Sequence, residues 1–144
     1  MALLALPESS AANRVRRHPL SRVILVTGAA GNIGARLTRA MLKRGEKPRA
    51  LVVPGDPLRC RVEGLGCELV EGDIPRKETM QRALEGVETV LHLAAVVLSH
   101  DVAAYQQVNL EGTRNLLEAS VSAGARHFIY VSSASVVYSR STPY

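Results

Sequence analysis

Val23-Ile24-Leu25-Val26-Thr27-Gly28-Ala29-Ala30-Gly31-Asn32-Ile33-Gly34 is the stretch around which the rest of this 144-residue chain is organised. It opens on four consecutive apolar residues, three of them β-branched, the pattern of a strand buried on both faces. From Asn32 the period changes to that of a helix. Ile33, Leu37, Ala40 and Met41 form one apolar stripe, while Arg36, Arg39 and Lys43 point elsewhere. Gly45 supplies the residue most common just past a helix end. Three glycines spaced three apart therefore sit in a strand-to-helix turn. Gly28 permits the tight turn, Gly31 allows a pyrophosphate to approach the backbone, and Gly34 lets the helix pack close to the strand. The free N–H groups and the positive end of the helix dipole face that anion. The alternative is a purely structural glycine turn, which the strand before it and the stripe after it argue against.

Bulk properties narrow the class. One domain fits the length, and 47% hydrophobic and 22% charged residues are ordinary for a globular protein. Cys60 and Cys67 lack the spacing of a zinc site or redox pair, so no metal is expected and a reduced, cytoplasmic setting is. No apolar run reaches the roughly 20 residues of a membrane span. Met1 to Leu6 is too short for a signal sequence and no basic residue precedes it. The formal charge of +5 is uneven: Arg36, Arg39, Lys43, Arg44, Lys47, Arg49, Arg59 and Arg61 face only Glu46 and Asp56. With one Phe, no Trp and no nucleic-acid motif, that excess reads as a solvated helix face and the rim of a phosphate site. Residues 1–21 are Pro- and Arg-bearing without periodicity and are expected to be a disordered basic tail; residues 22–144 form the domain.

Thr-Gly-x-x-Gly-x-x-Gly at the first turn resembles the short-chain dehydrogenase/reductase superfamily. The Gly31-Asn32-Ile33-Gly34 ending resembles its extended, NAD-dependent epimerase/dehydratase branch, in which 3β-hydroxysteroid dehydrogenase-like members fall. Later segments are similar in the family's order. Pro48 to Val53 reads as a second strand ended by Pro54-Gly55-Asp56-Pro57. A carboxylate at that strand's tip selects NAD and a basic residue accommodates NADP. Here Val52 and Val53 stand there, with Asp56 and Arg59 as competing candidates, so either cofactor remains open, with the Arg and Lys excess inclining to NADP. Glu68 to Glu71 is a third strand, and Gly72-Asp73-Ile74 after it resembles the adenine-contacting turn. Asp73 would accept from the adenine amino group and Ile74 would pack on the ring; the plain alternative is a helix-entry aspartate. Lys77 to Leu84 suggests a short helix stopped by Gly86.

Thr89 to Ala95 is a fourth strand and its exit. The His92-Leu93-Ala94-Ala95 run resembles the loop whose backbone approaches the nicotinamide ribose, and His92 reads as a strand-packed structural histidine. A long helix follows from Tyr105, with Tyr105, Val108, Gly112, Leu116, Ala119 and Ala123 on one face and Gly124 as its stop. Val108 to Ala119 resembles the family's central helix, which implies that Asn109 braces the cofactor site and Gly112 allows close packing. Phe128 to Ser133 is the fifth strand. Ser133, at its carboxyl end, matches the catalytic Ser/Thr, and Ser132 faces the opposite side. Tyr144 is preferred to Tyr138 as the catalytic phenol. The lysine that lowers that phenol's pKa in the family would follow four residues later, beyond position 144.

The resemblance implies an α/β Rossmann-type doubly wound parallel sheet, strand order 3-2-1-4-5, truncated before the substrate-binding region. It further implies NAD(P) as cofactor, a nucleotide sugar or sterol as small-molecule substrate, and a homodimer for the full-length protein. Taken alone, the chain is expected to bind cofactor without turnover. A non-catalytic dinucleotide sensor on the same fold is the alternative.

Overall fold

The computed structural model describes residues 23–133. Within them, β1 (Val23–Thr27), β2 (Pro48–Val52), β3 (Glu68–Glu71), β4 (Val87–His92) and β5 (His127–Tyr130) form one parallel sheet in the order β3-β2-β1-β4-β5. The strand order is the one expected. The tail at residues 1–21, Tyr138 and Tyr144 lie outside the described residues. Among the described residues no helix is long and apolar enough to cross a membrane, and no cluster of His, Cys, Asp and Glu could hold a metal.

Alternation along the strands feeds two cores. Leu25, Leu51, Val70 and Val90 pack on one face with Met80, Leu84 and Leu116 from the helices. Val26, Ala50 and Val52 pack on the other with Ala29, Met41 and Val62. β1 is thus covered on both sides, which is why it reads as an unbroken apolar run.

Helix α1 (Asn32–Lys43) is as long as expected but turned differently about its axis. It buries Gly34, Ala35, Thr38 and Met41, whereas Ile33 is 64% exposed and Ala40 is exposed. The cause is the start of the helix. A Cβ at Gly34 would lie 2.1 Å from the Gly28 carbonyl oxygen, so the helix meets the strand through its smallest residues. Backbone proximity, not hydropathy, sets its phase.

A second correction concerns Arg49, which is no part of a solvated patch. It is 9% exposed, and its Nε donates to Glu68 Oε2 at 2.8 Å. Its Nη1 donates to the carbonyls of Ala83 (2.9 Å) and Glu85 (2.7 Å), at the C-terminal end of α2 (Met80–Leu84). A cation there satisfies carbonyls the helix leaves unpaired.

The long helix starts earlier than expected, at Val102, where the Asp101 carboxylate accepts from the Ala103 N–H. One α-turn, α3 (Val102–Ala104), leads into a π-helix (Tyr105–Gly112) and then α4 (Thr113–Ser122). The wide π turns shift the phase. The fully buried positions are Gly112, Leu116 and Ser120, and Ala123 is exposed rather than on the packed face. β2 and β5 also end earlier than their apolar runs, at Val52 and Tyr130.

Candidate functional site at the carboxyl edge of the sheet

The glycine turn leaves β1 at Thr27 and enters α1 at Asn32. Gly28 has φ +64, and a Cβ there would lie 2.7 Å from the Ala94 nitrogen, so the loops after β1 and β4 touch through bare backbone. Gly31 differs: its only close neighbour would be the Gly28 carbonyl oxygen at 3.1 Å. Space lies open in front of it. No side chain caps α1 and no acidic residue stands in its first turn. The first N–H groups of a helix need a partner, and here the geometry offers them to an anion. That cradle fits a dinucleotide pyrophosphate. Asn32 and Ile33 are exposed at its edge.

Beside the turn, Thr27 Oγ1 accepts from the N–H groups of Leu93 and Ala94, each at 3.2 Å. With those acceptor positions filled, its proton points to His92 Nδ1, 2.7 Å away. The other ring nitrogen therefore carries the hydrogen, and Nε2–H donates to Thr113 Oγ1 at 2.9 Å. His92 is fully buried and stacks on Tyr130, with ring centroids 5.3 Å apart. Burial lowers its pKa to about 4, which keeps the ring neutral. It is a structural link between β1, β4 and α4, not an acid or base for substrate.

The loop beyond it is fixed from the π-helix. Asn109 Oδ1 accepts from Val96 N–H and its Nδ2 donates to the Val96 carbonyl, both at 2.8 Å. Both amide groups are thereby engaged, so Asn109 positions Leu93, Ala94 and Ala95 through Val96. Tyr105 Oη accepts from Ser99 N–H at 2.9 Å and holds the next turn. Sequence reading gave Asn109 its bracing role but not Tyr105 or Thr113, whose partners become visible only once the helix is in place.

At the other end, Ile74 is buried under Gly112, where a Cβ would come within 2.8 Å of Ile74 Cγ1. Asn115 Nδ2 donates to the Pro75 carbonyl at 3.1 Å. Thr79 Oγ1 holds Asp73 through its backbone N–H and C=O, at 3.0 and 3.1 Å. The Asp73 carboxylate is left out of these bonds and is half-buried beside the loop. The buried Ile74 side chain, in contrast, packs into the core beneath α4. Ser133 is exposed three residues past β5.

One residue was missed. Arg61, in the single-turn 3-10 helix Arg59–Arg61, donates from Nη1 to Asn32 Oδ1 at 2.8 Å and to the Ala30 carbonyl at 3.5 Å. Only the local excess of basic residues hinted at it.

The model of the 3-beta hydroxysteroid dehydrogenase/isomerase family matches residues 25–143. Sterol demethylase protein B of Methylococcus capsulatus is 40% identical over 115 residues, covering 78% of this chain and 35% of that protein. Ceramide reductase of Caulobacter vibrioides is 37% identical over 111 residues, covering 77% and 34%. A short-chain dehydrogenase/reductase superfamily protein of Agrobacterium tumefaciens, solved with bound NAD, superposes with a TM-score of 0.68 at 36% identity, covering 80% and 34%. The chain spans about a third of the length of these proteins.

Proposed function

The chain belongs to the 3-beta hydroxysteroid dehydrogenase/isomerase family, and from that premise we propose that it is the NAD(P)-binding part of an enzyme oxidising a hydroxyl or reducing a keto group on a lipophilic small molecule. The observation that carries the reading is the uncapped glycine turn, open in front of Gly31 and bonded through Thr27 to the loop after β4. In this reading Gly28, Gly31 and Gly34 shape the turn, and the amides from Asn32 onward hold the pyrophosphate. Asp73 and the backbone beside Ile74 receive the adenine. Leu93, Ala94 and Ala95 line the nicotinamide ribose, held in place by Asn109. When bound, the nicotinamide supplies or accepts the hydride.

The Ser133 hydroxyl holds the substrate oxygen and the Tyr144 phenol exchanges a proton with it. The lipophilic class is supported by two relatives named for sterol and ceramide chemistry. It is supported too by Val97 and Leu98, 76% and 94% exposed just beyond the ribose loop. A homodimeric state belongs to the same proposal on the family resemblance alone, and a cytoplasmic setting on the spacing of Cys60 and Cys67. The test is NAD(P)H formation by the full-length protein with a hydroxysteroid, a ceramide-type alcohol and a UDP-sugar. Turnover of a lipophilic alcohol, lost in Ser133→Ala, is expected; turnover of the UDP-sugar alone overturns the substrate class.

A further inference from the structure

We propose that the outer face of α1 docks this protein on an anionic lipid bilayer. The proposal goes beyond the dinucleotide-binding reading, and only its choice of a bilayer rests on the lipophilic substrate class given above.

The positive charge is concentrated in one part of the chain. Between Glu8 and Glu46 the sequence holds eight Arg and Lys residues and no acid. Four of them, Arg36, Arg39, Lys43 and Arg44, stand exposed along α1 and at its end, and Lys47 is exposed on the connection to β2. Among the described residues none of these five forms an ion pair. Arg39 donates only to the neutral Arg61 carbonyl, at 2.8 Å. Arg49, Arg59, Lys77 and Arg114, by contrast, each meet a carboxylate. Exposed cations without counter-charges of their own repel one another and attract an anionic surface.

The shape of the face selects the partner. Ile33, Arg36, Ala40, Lys43 and Arg44 follow one another at helical spacing along one side of a helix roughly 18 Å long. On the opposite side Gly34, Ala35, Thr38 and Met41 bury α1 against the sheet. A Cβ at Gly34 would lie 2.1 Å from the Gly28 carbonyl oxygen, so the helix is drawn down onto the domain. Such a helix presents a low face and does not project into the groove of a nucleic acid duplex. The face carries no aromatic ring on which unpaired bases could stack. A planar array of lipid headgroups fits it, and roughly four to eight clustered cations are what anionic membranes attract. The apolar stems of Arg and Lys lie along the surface while their charges reach the headgroups. Ile33, 64% exposed at the end nearest the glycine turn, gives the stripe an apolar contact. Docking by this face holds the dinucleotide site close to the phase in which a lipophilic substrate resides.

Sedimentation of the full-length protein with lipid vesicles tests this. Phosphatidylcholine vesicles containing about 30% phosphatidylserine are expected to bind it at least ~10-fold more tightly than phosphatidylcholine alone, and about 0.5 M salt should remove the difference. The variant Lys43→Gln/Arg44→Gln/Lys47→Gln alters the end of α1 remote from the glycine turn. It should bind the anionic vesicles at least ~10-fold more weakly, with NAD(P) affinity within about twofold of wild type. Thermal melts show whether it folds, and Lys43→Arg/Lys47→Arg, which keeps the charge, should bind like wild type. Equal binding of wild type to both kinds of vesicle overturns the proposal, as does a folded triple variant that binds anionic vesicles unimpaired. Tighter binding to a short DNA duplex than to anionic vesicles overturns it in favour of a nucleic acid. Vesicle binding without NAD(P) binding upholds the docking face and overturns the dinucleotide reading instead.

Discussion

Where β1 turns into α1, the chain is positioned by atoms that are missing: the Cβ of Gly28, which would strike Ala94, and that of Gly34, which would strike the Gly28 carbonyl. No side chain closes the helix end. Where β4 leaves the sheet, the chain is positioned by bonds that are complete, from Thr27 through His92 to Thr113 and from Asn109 to both backbone groups of Val96. The first region keeps its hydrogen-bonding capacity open for a ligand; the second spends its capacity on holding shape. Binding and bracing are thus divided between two loops that touch.

That division breaks most visibly at Gly34. Gly34→Val should cost about 3 kcal/mol or more, enough to abolish a cooperative urea transition, because the added carbon meets backbone that cannot yield. Gly31→Val is the contrast. Its added Cβ meets little but the Gly28 oxygen, so the fold should survive while dinucleotide affinity drops about 100-fold by calorimetry. Unchanged affinity in a folded Gly31→Val protein would falsify the open-cradle account.

On the braced side, His92 makes stability depend on pH. Its folded-state pKa of about 4 lies below the ordinary 6.5, so between those values the unfolded chain binds more protons than the native one. The neutral-ring contribution is nearly complete above pH 6.5 and is lost as pH falls toward 4, by about 3 kcal/mol. Urea unfolding at both ends of that window should show the loss in wild type and a smaller one in His92→Gln. Asn109→Ala is the mildest change, leaving Val96 without two partners at about 1–2 kcal/mol. Amide exchange at Val96 should quicken while amides in β1 stay protected.

The glycine spacing and the strand before it were legible in the sequence, because backbone conformation and burial on both faces leave direct marks on residue type. The order of the five strands followed from the family resemblance that those residues carry. The phase of α1 was not legible. A hydropathy stripe through Ile33 counts apolar area, whereas the packed face is chosen by how closely Gly34 approaches Gly28. The π turns were hidden for a related reason. Their register is compatible with ordinary helix formers, and they accompany bonds such as Asn109 to Val96 that span the loop before them. The bracing role of Asn109 came from the family resemblance of its helix, and its two bonds to Val96 give it the partner a polar residue there needs. Arg61 and Arg49 were not readable, because their partners lie far along the chain: the carbonyl of Ala30 and the amide of Asn32 for one, the end of α2 for the other.

Arg49 carries a consequence for the order in which the molecule is assembled. It sits on a strand whose five residues are all buried, yet its three hydrogen-bond acceptors belong to Glu68, Ala83 and Glu85, all later in the chain. Docking β2 before those acceptors exist would strand a cation in the interior, a cost that replaces any gain from its neighbours. The strand is therefore fully satisfied only with β3 and α2 packed against it. Strand β2, which pairs with β1 beside the glycine turn, thus depends on carbonyls more than thirty positions downstream.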